Sequence, residues 1–455
     1  MELTRSLTKL VERTSYEDFP PKTLAYAKLL GLTCIGSALA GATETPGKIV
    51  TEYVRAQAAA GEAGVIASGF LTTLDNAAFA NNALWHATEL EGNSYPECVS
   101  IYNLFPPMLA VAEKYSLSGR QVLEACIIGH EVQARLGLMV NPNPNAPQSA
   151  KFMNIGVMGI MAIAAGTAKL LQFSAEQTVN AISLAASQAC GIVKQTGSMA
   201  HFVESGFTAR SGMLAALLAK AGMSGRPEIL ETKGGLCDIM TGGASYDPDT
   251  TLSQWGQPFR VEEQGEKLYP CCYLMQHFIE TTLELKKEHT LLPNDIASIH
   301  VETNAAHAGI CRFEEPSTPE EAKFSINHGV AVSLLDKTVS LSSFSINRVN
   351  DPDVANFRRK VKVTVHSEWE AGTLAQPHPI TITMRNGQQL RRDAHIFHGH
   401  PPNFMTSEEL IEKFRSYASL VMSPGQMDAC QDFILGLDEL PNVSALTKLL
   451  TNPRK

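Results

Sequence analysis

Lys-Leu-Tyr-Pro-Cys-Cys, at residues 267–272, stands in the region where the character of the chain changes. Upstream of about residue 247, alanine- and leucine-rich segments with apolar side chains at helical spacing dominate. From there to about residue 402, segments appear in which apolar and polar residues alternate, as in half-buried strands. The alternating segments are residues 298–303, 361–366 and 380–384, the last of which leads into an Asn-Gly hairpin signal at 386–387. The sequence therefore predicts a helical part followed by an α+β part.

Helix-start signals support this division. Three capping boxes, in which a hydroxyl residue is followed three positions later by Glu or Gln, mark helix starts at Ser174, Thr318 and Thr406. Further helices are predicted over residues 155–171 and 210–220, where the inner faces are almost entirely small and apolar. Helices therefore both precede and follow the predicted strands.

The simplest architecture joins both chain ends in one domain. We predict a mostly α protein with a large all-helical domain from residues 1–260 and 402–455 and an inserted α+β lid domain over residues 261–401. A cleft between two such domains is a common place for a small ligand, and we expect the functional site there.

Composition narrows the classes of partner. The chain of 455 residues has 37 basic and 46 acidic side chains, a net charge of −9, which gives no support to a nucleic-acid or anionic-membrane partner. The longest apolar stretch, about residues 155–168, is shorter than the ~20 residues that cross a bilayer. Nine cysteines without a repeated spacing, after a start that lacks an apolar signal segment, predict reduced thiols and a cytoplasmic protein.

Familiar cofactor motifs are absent from the sequence. No G-x-G-x-x-G follows a strand pattern, and neither a P-loop nor a G-x-S-x-G elbow occurs, which argues against dinucleotide-binding, P-loop and α/β-hydrolase proteins. His395, His398 and His400 could serve a metal, but we favour solvated histidines at the end of the hairpin. Cys271 and Cys272 are adjacent and predict buried thiols rather than a mutual disulfide. We therefore expect no metal and no cofactor.

Several segments, taken in order, resemble the MmgE/PrpD family, which holds 2-methylcitrate dehydratases and cis-aconitate decarboxylases. They extend over nearly the whole chain and are residues 77–80, 86–91, 129–137, 188–191, 206–212, 267–272, 322–325 and 435–440. Residues 188–191 and 435–440 look especially like the fungal cis-aconitate decarboxylase branch. The resemblance implies a helical domain of discontinuous sequence, an α+β lid, no metal, and a homodimer.

The resemblance also implies a catalytic set, and several of its positions differ here. The acidic pair of the family corresponds to Glu91 and a glycine, and a second family histidine corresponds to Met153. A lysine is replaced by His201, a tyrosine of the lid helix by His328, and the histidine after the cysteine pair is displaced to His277. Imidazoles can keep acid–base capacity near neutral pH. The weaker positive field, however, favours a substrate less anionic than cis-aconitate.

We predict three catalytic residues and five substrate-binding residues. The catalytic acid–base groups are His201, His328 and Glu91. The substrate-binding residues are Arg210, Tyr269, Lys267, Lys323 and His277. Structural alternatives are open for these residues: a backbone-bonded or interfacial position for the two catalytic histidines, local bonding for Arg210 and Glu91, and a solvated helix position for Lys323. His86 and His130 are predicted core histidines.

These residues favour a cofactor-independent lyase, a decarboxylase or dehydratase. Its substrate would be a citrate- or aconitate-related carboxylic acid, or a biosynthetic intermediate that carries such a unit. Two new histidines also fit an isomerase or epimerase, which removes and returns a proton. The changed family positions leave a third hypothesis, a catalytically inactive paralogue that binds a ligand or a partner.

Overall fold

The computed structural model describes residues 2–140, 152–189, 191–370 and 377–453. Packing contacts divide the chain into two compact units. The first unit comprises Met1–Ile192, Phe202–Gln264 and Thr406–Lys455, and the second comprises Val193–His201 and Gly265–Met405. Among the described residues, every strand longer than two residues belongs to the second unit. The chain is thus mostly α, with α+β structure in the second unit.

Helices account for most of the described residues. They are α1 Leu3–Arg13, α2 Pro21–Gly41, α3 Thr45–Ala56, α4 Leu74–Ala87, α5 Phe105–Tyr115, α6 Gly119–Val140, α7 Asn154–Leu170, α8 Ala175–Ala186, α9 Met199–Lys220, α10 Leu236–Thr241, α11 Pro248–Ser253, α12 Gln276–His289, α13 Ala305–Ile310, α14 Pro319–Ala322, α15 Ile326–Leu335, α16 Ile346–Val349, α17 Pro352–Arg358, α18 Ser407–Ala418, α19 Pro424–Leu435 and α20 Ser444–Thr451. The strands are β1 Ala63–Gly64, β2 Leu71–Thr72, β3 Asn93–Ser94, β4 Gln264–Gly265, β5 Ile296–Asn304, β6 Val361–His366, β7 His378–Met384 and β8 Gln389–Ala394.

The core of the first unit is built from helices with small residues at their contacts. Helix α2 packs against α4 and α18, and α6 packs along α7. A Cβ at Gly129 of α6 would lie 2.9 Å from the Ala162 carbonyl oxygen of α7, so the close approach of these two helices requires glycine. Helices that are apolar on most sides are stable only when neighbouring helices cover them, as they do in this core.

Helix α2 also meets the length and composition of a membrane span. It has 21 residues, and 78% of its most apolar window is buried inside the protein. The predicted longest apolar stretch, at residues 155–168, falls in the shorter helix α7. Because α2 packs on α4 and α18, its apolar surface is accounted for by core packing.

The second unit contains a four-stranded mixed sheet in the order β6-β5-β7-β8. Strand β5 is parallel to β6 and antiparallel to β7, and β7 is antiparallel to β8. Val301, in the middle of β5, pairs with Val363 on one side and Ile380 on the other. Helices α12 and α15 pack against each other and against this sheet, which gives the unit its own apolar core.

Most of the predicted elements are confirmed. The three predicted strands are β5, β6 and β7, and Gly387 has φ 88° in the hairpin that joins β7 to β8. The capping boxes at Ser174 and Thr406 are present, and the Thr318 hydroxyl accepts a hydrogen bond from the Glu321 N–H at 3.2 Å. The predicted helix over 210–220 starts earlier, at Met199, because residues 199–209 contain no proline that would end a helix.

The division into units differs from the predicted domains at one internal segment and by four residues at each end of the predicted lid. Residues 193–201 fall within the predicted helical domain but group with the second unit. Their place there is explained by Arg312, which donates to the Thr196 hydroxyl at 2.9 Å and to the Thr196 carbonyl at 2.8 Å. Gly197 has φ 87° and lies against the ring of Phe313, where a Cβ would clash.

Candidate functional site

Lys267 and Lys323 are buried in the second unit. Their exposed fractions are 1% and 2%, so the solvated alternative for Lys323 is wrong. Lys323 directly follows α14, and its carbonyl accepts a hydrogen bond from the Cys272 N–H at 2.9 Å. This bond joins the 267–272 segment to the chain that leads into α15. Two of the predicted cationic residues thus lie on segments that contact each other directly.

One buried amide organises the 267–272 segment. The Gln276 side-chain oxygen accepts hydrogen bonds from the Leu268 and Tyr269 N–H groups at 3.0 and 2.9 Å. Its amide nitrogen donates to the carbonyls of Tyr269 and Cys271 at 2.9 and 3.1 Å. Gln276 is fully buried at the start of α12. It was missed by the sequence analysis because a single glutamine carries no motif.

The Tyr269 phenol and the two cysteine thiols of this segment are uncharged or buried groups. Burial, followed by the nearby Glu280 carboxylate, raises the pKa of the Tyr269 phenol, which is therefore protonated and a hydrogen-bond donor at neutral pH. Cys271 and Cys272 are buried free thiols, as predicted. The eight cysteines within the described part of the chain are all free, and Cys190 lies outside it.

His201 lies in the first turns of α9 and is 2% exposed. Its ring meets that of Phe324 edge-on, with the ring centroids 5.2 Å apart. Phe324 immediately precedes Ser325, whose hydroxyl caps α15 by accepting a hydrogen bond from the His328 N–H at 3.1 Å. His201 therefore lies beside the start of the helix that carries His328. Its acid–base role stays a prediction.

His328 is bonded through both ring nitrogens. Nε2 lies 2.8 Å from the Ser343 carbonyl oxygen, and Nδ1 lies 3.1 Å from the Arg358 guanidinium. A carbonyl only accepts and a guanidinium only donates, so the ring is neutral with its proton on Nε2. Burial is the main cause that lowers the pKa of His328 to about 4. These bonds are those of a structural histidine, and the predicted catalytic role requires one of them to break.

His277 lies beside two other buried histidines. It is 1% exposed on α12, and its ring centroid is 5.3 Å from that of His307 and 5.1 Å from that of His378. Burial is the main cause that lowers the pKa of His277 well below its ordinary value, so the ring is neutral. Its predicted contact with substrate stays a prediction.

The first unit holds Glu91 in a buried acidic segment. Glu91 and Glu89 are each 3% exposed just after α4, and the Lys413 ammonium donates to the intervening Leu90 carbonyl at 3.0 Å. His86 is buried, as predicted, and its Nδ1 lies 2.7 Å from the Ser205 hydroxyl. The residues of this segment are therefore fixed by groups that are far apart in the sequence. Whether Glu91 acts on substrate stays a prediction.

A buried ion pair lies close to Glu91 in the sequence. Glu97 is fully buried, and its carboxylate lies 2.7 Å from the Arg260 guanidinium. Burial outweighs Arg260 and raises the pKa of Glu97. His130, the other predicted core histidine, is also fully buried and is 2.8 Å from the Gln133 amide nitrogen. Sequence spacing gave no signal for the Glu97–Arg260 pair, because its members are 163 positions apart.

Arg210 and His400 have surroundings that differ from the predicted ones. Arg210 lies within α9 rather than at a helix start, and its Nε is 3.2 Å from the Asp75 carboxylate, with the arginine side chain 41% exposed. His395 is exposed, as predicted. His400 is not a solvated histidine: its Nδ1 is 2.6 Å from the Tyr273 hydroxyl, and burial lowers its pKa to about 4.

Comparison with known proteins covers nearly the whole chain. Residues 5–249 match the MmgE/PrpD N-terminal domain and residues 269–439 match the MmgE/PrpD C-terminal domain. A cis-aconitate decarboxylase of Aspergillus terreus is 27% identical over 100% of this chain and 96% of its own length. The cis-aconitate decarboxylase of Mus musculus is 25% identical over 83% of this chain and 78% of its own length. A cis-aconitate decarboxylase-like protein, oryM of Aspergillus oryzae, is 25% identical over 99% and 97% of the two chains.

Proposed function

The chain belongs to the MmgE/PrpD family, and from this premise we propose that it is a lyase that decarboxylates or dehydrates an aconitate-like carboxylic acid. No step of the reaction is assigned to a cofactor. Several positions at which the family resemblance implies catalytic groups carry other residues here. We therefore propose a citrate- or aconitate-related substrate that is less anionic than cis-aconitate, or a biosynthetic intermediate that carries such a unit.

The observation that carries this proposal is the burial of Lys267 and Lys323 on segments joined by the Cys272–Lys323 backbone hydrogen bond. Buried ammonium groups are retained in proteins where negative charge meets them. In a lyase of this kind, two such cations would hold substrate carboxylates and stabilise charge as it develops in the transition state. The protonated Tyr269 phenol on the same segment would add a neutral hydrogen-bond donor.

The proton would be moved by His201. Decarboxylation breaks the bond between a carboxylate carbon and its neighbour, releases carbon dioxide, and leaves an electron pair that an acid must protonate. Dehydration instead removes a proton from carbon and expels hydroxide, which leaves as water. Both reactions need one positioned acid or base. His328 would have to break one of its two ring bonds to take part. We therefore place the proton transfer on His201, with His328 and Glu91 as the other predicted acid–base groups.

The test is a turnover screen in deuterated water. The chain is incubated with cis-aconitate, 2-methylcitrate and longer alkylcitrates while carbon dioxide and proton NMR signals are recorded. We expect release of carbon dioxide or loss of water from at least one acid, with deuterium placed at the protonated carbon. Deuterium exchange without net product would support an isomerase instead. Binding without either signal would support an inactive paralogue.

Variants connect turnover to the named residues. Lys267→Met, Lys323→Met and His201→Ala should each lower kcat/KM by about 10²–10⁴-fold. Lys286→Met is the matched control, since this second-unit lysine donates to the Ser333 and Asp336 carbonyls at 3.1 and 2.8 Å and has no proposed substrate contact. Equal losses in the control and in the two lysine variants would count against the assignment of the cations.

We further propose that the protein is a cytoplasmic homodimer. The free thiols of the eight described cysteines fit a reducing compartment, and the family resemblance supports the dimer. Light scattering after size-exclusion chromatography gives the subunit number directly. A monomeric mass at micromolar concentration would refute the dimer.

A further inference from the structure

Three histidines of the second unit converge in its interior. His277 comes from α12, His307 from α13 and His378 from the first position of β7. Their exposed fractions are 1%, 0% and 0%. One ring nitrogen from each of them lies within 4.8 Å of the others. These residues, called the histidine cluster below, are separated by up to 101 positions in the sequence, so their convergence is a product of the fold.

Hydrogen bonds set the protonation of His307. The Asn304 side-chain oxygen accepts from the His307 backbone N–H at 2.9 Å, while the Asn304 amide nitrogen donates to the Glu370 carbonyl at 2.8 Å. The oxygen is therefore fixed as an acceptor, and it lies 2.8 Å from His307 Nδ1. Nδ1 must carry the proton, which leaves the lone pair on Nε2. Histidines that bind metals are commonly held in this way, by a hydrogen bond to the nitrogen that does not face the ion.

His378 and His277 supply the other two imidazoles. His378 Nδ1 lies 3.1 Å from the Thr303 hydroxyl, so this ring is also held through the nitrogen away from Nε2. Within the described part of the chain, His378 Nε2 and both nitrogens of His277 are buried without a hydrogen-bond partner. Buried polar atoms are nearly always satisfied, and nitrogens without partners on two adjacent rings point to a ligand that accepts one lone pair from each ring.

We propose that His277, His307 and His378 together bind one divalent transition-metal ion, for which zinc is the probe. Neutral imidazoles are common ligands of zinc and related ions. A tetrahedral zinc with Zn–N bonds of about 2.0–2.1 Å holds its ligand atoms about 3.4 Å apart, so nitrogens that lie within 4.8 Å of one another need to approach by at most about 1.4 Å. A water molecule or small anion would complete the shell.

The ion would act on stability and would take no part in the lyase reaction. It would link α12, α13 and β7, three elements of the second unit that are distant in the sequence. Because binding to the folded state alone raises the free energy of unfolding, the melting temperature should rise with zinc concentration. The competing explanation is ring packing alone, since the centroids of His307 and His378 are 4.4 Å apart and Phe278 lies beside them.

The experiment measures zinc on the full-length chain after dialysis against a chelator. Competition with a chromophoric chelator gives the affinity, and elemental analysis gives the stoichiometry. We expect one tightly bound zinc per chain. The zinc affinity should fall by about 100-fold or more in His307→Gln and in His378→Gln, because loss of a ligand should cost at least as much as loss of a hydrogen-bond partner behind a ligand. Thr303→Val, which removes the bond to His378 without changing volume, should weaken binding by about 10–100-fold. Cobalt should give the visible absorption of a four-coordinate site with three nitrogen ligands.

Two control variants keep the test decisive. His289 lies on the same helix as His277 but is exposed, so His289→Gln should leave the zinc affinity unchanged. His398→Gln tests the other group of histidines and should also leave it unchanged. If His307→Gln fails to fold, cobalt absorption and Thr303→Val on folded protein still decide the matter. Absence of zinc binding in the unaltered chain, or binding that follows His398 and not His378, would overturn the proposal.

Discussion

Replacing Gln276 by leucine removes a side chain on which a whole predicted site segment depends. Its amide makes four hydrogen bonds to the backbone of residues 268–271. Gln276→Leu has similar volume but leaves two N–H groups and two carbonyls without these partners. Gln276→Glu is a graded variant, because a carboxylate still accepts from the Leu268 and Tyr269 N–H groups and loses only the two donated bonds.

The magnitude follows from these bonds. A typical intramolecular hydrogen bond contributes about 0.5–1.5 kcal/mol net, so four of them correspond to about 2–6 kcal/mol. Leu268 and Tyr269 are half-buried, and water can partly replace the bonds to their N–H groups. We therefore expect Gln276→Leu to lower the free energy of unfolding of the second unit by about 3 kcal/mol. Gln276→Glu should cost roughly half of that if its carboxylate keeps both accepted bonds.

Hydrogen–deuterium exchange measures this at the right place. Peptides that cover residues 266–273 report the Leu268 and Tyr269 amides directly, and about 1.4 kcal/mol corresponds to a tenfold change in an equilibrium. Exchange there should speed up by about 100-fold in Gln276→Leu and by about 10-fold in Gln276→Glu. Gln389→Leu, at an exposed position of β8, is the control and should change nothing. Equal exchange in Gln276→Leu and Gln389→Leu would refute the reasoning.

Two further predictions concern charged side chains. Burial lowers the folded-state pKa of His328 to about 4 from 6.5, so its stabilising contribution is complete above pH 6.5 and is lost as the pH falls towards 4, by about 3 kcal/mol in all. Denaturant unfolding between pH 7 and pH 4 should show a smaller loss in His328→Gln than in the unaltered chain; an identical loss would contradict the assignment. Arg210 pairs with Asp75 on a partly exposed surface, so Arg210→Gln and Asp75→Asn should each cost under about 1 kcal/mol. If Arg210 also binds substrate, KM should rise in Arg210→Gln alone; equal KM values in the two variants would leave only the ion pair.

The elements that the sequence predicted are those with local signals. A strand such as β6 alternates apolar and polar side chains along its whole length, and the helix starts at Ser174 and Thr406 are set by residues three positions apart. Such signals depend only on neighbours in the chain, so they can be recognised in the sequence without knowledge of the fold. The start of α9 was predicted too late because no local signal separates residues 199–209 from the rest of the helix.

The environment of the site residues could not be predicted in the same way. The amide of Gln276, the Lys413 ammonium at the Leu90 carbonyl, and the Glu97–Arg260 pair all depend on contacts between distant parts of the chain. The same limit hid the histidine cluster, since only His277 among its members was singled out by the family resemblance, as the displaced counterpart of a family histidine. By contrast, Cys271 and Cys272 were predicted as buried thiols from their adjacency in the sequence, which is a local feature.

The three histidines that the sequence analysis assigned to the site therefore have three different environments. His328 has its proton on Nε2 and both nitrogens bonded, so protonating it must displace the Arg358 guanidinium. His277 has two buried nitrogens without hydrogen-bond partners among the described residues, which suits a metal ion better than a proton carrier near neutral pH. His201 shares neither arrangement and is in edge contact with Phe324 beside the start of α15. An acid–base group must be able to gain and lose its proton within one cycle, which the two bonds of His328 oppose and the buried cluster around His277 disfavours, so His201 is the histidine to test first.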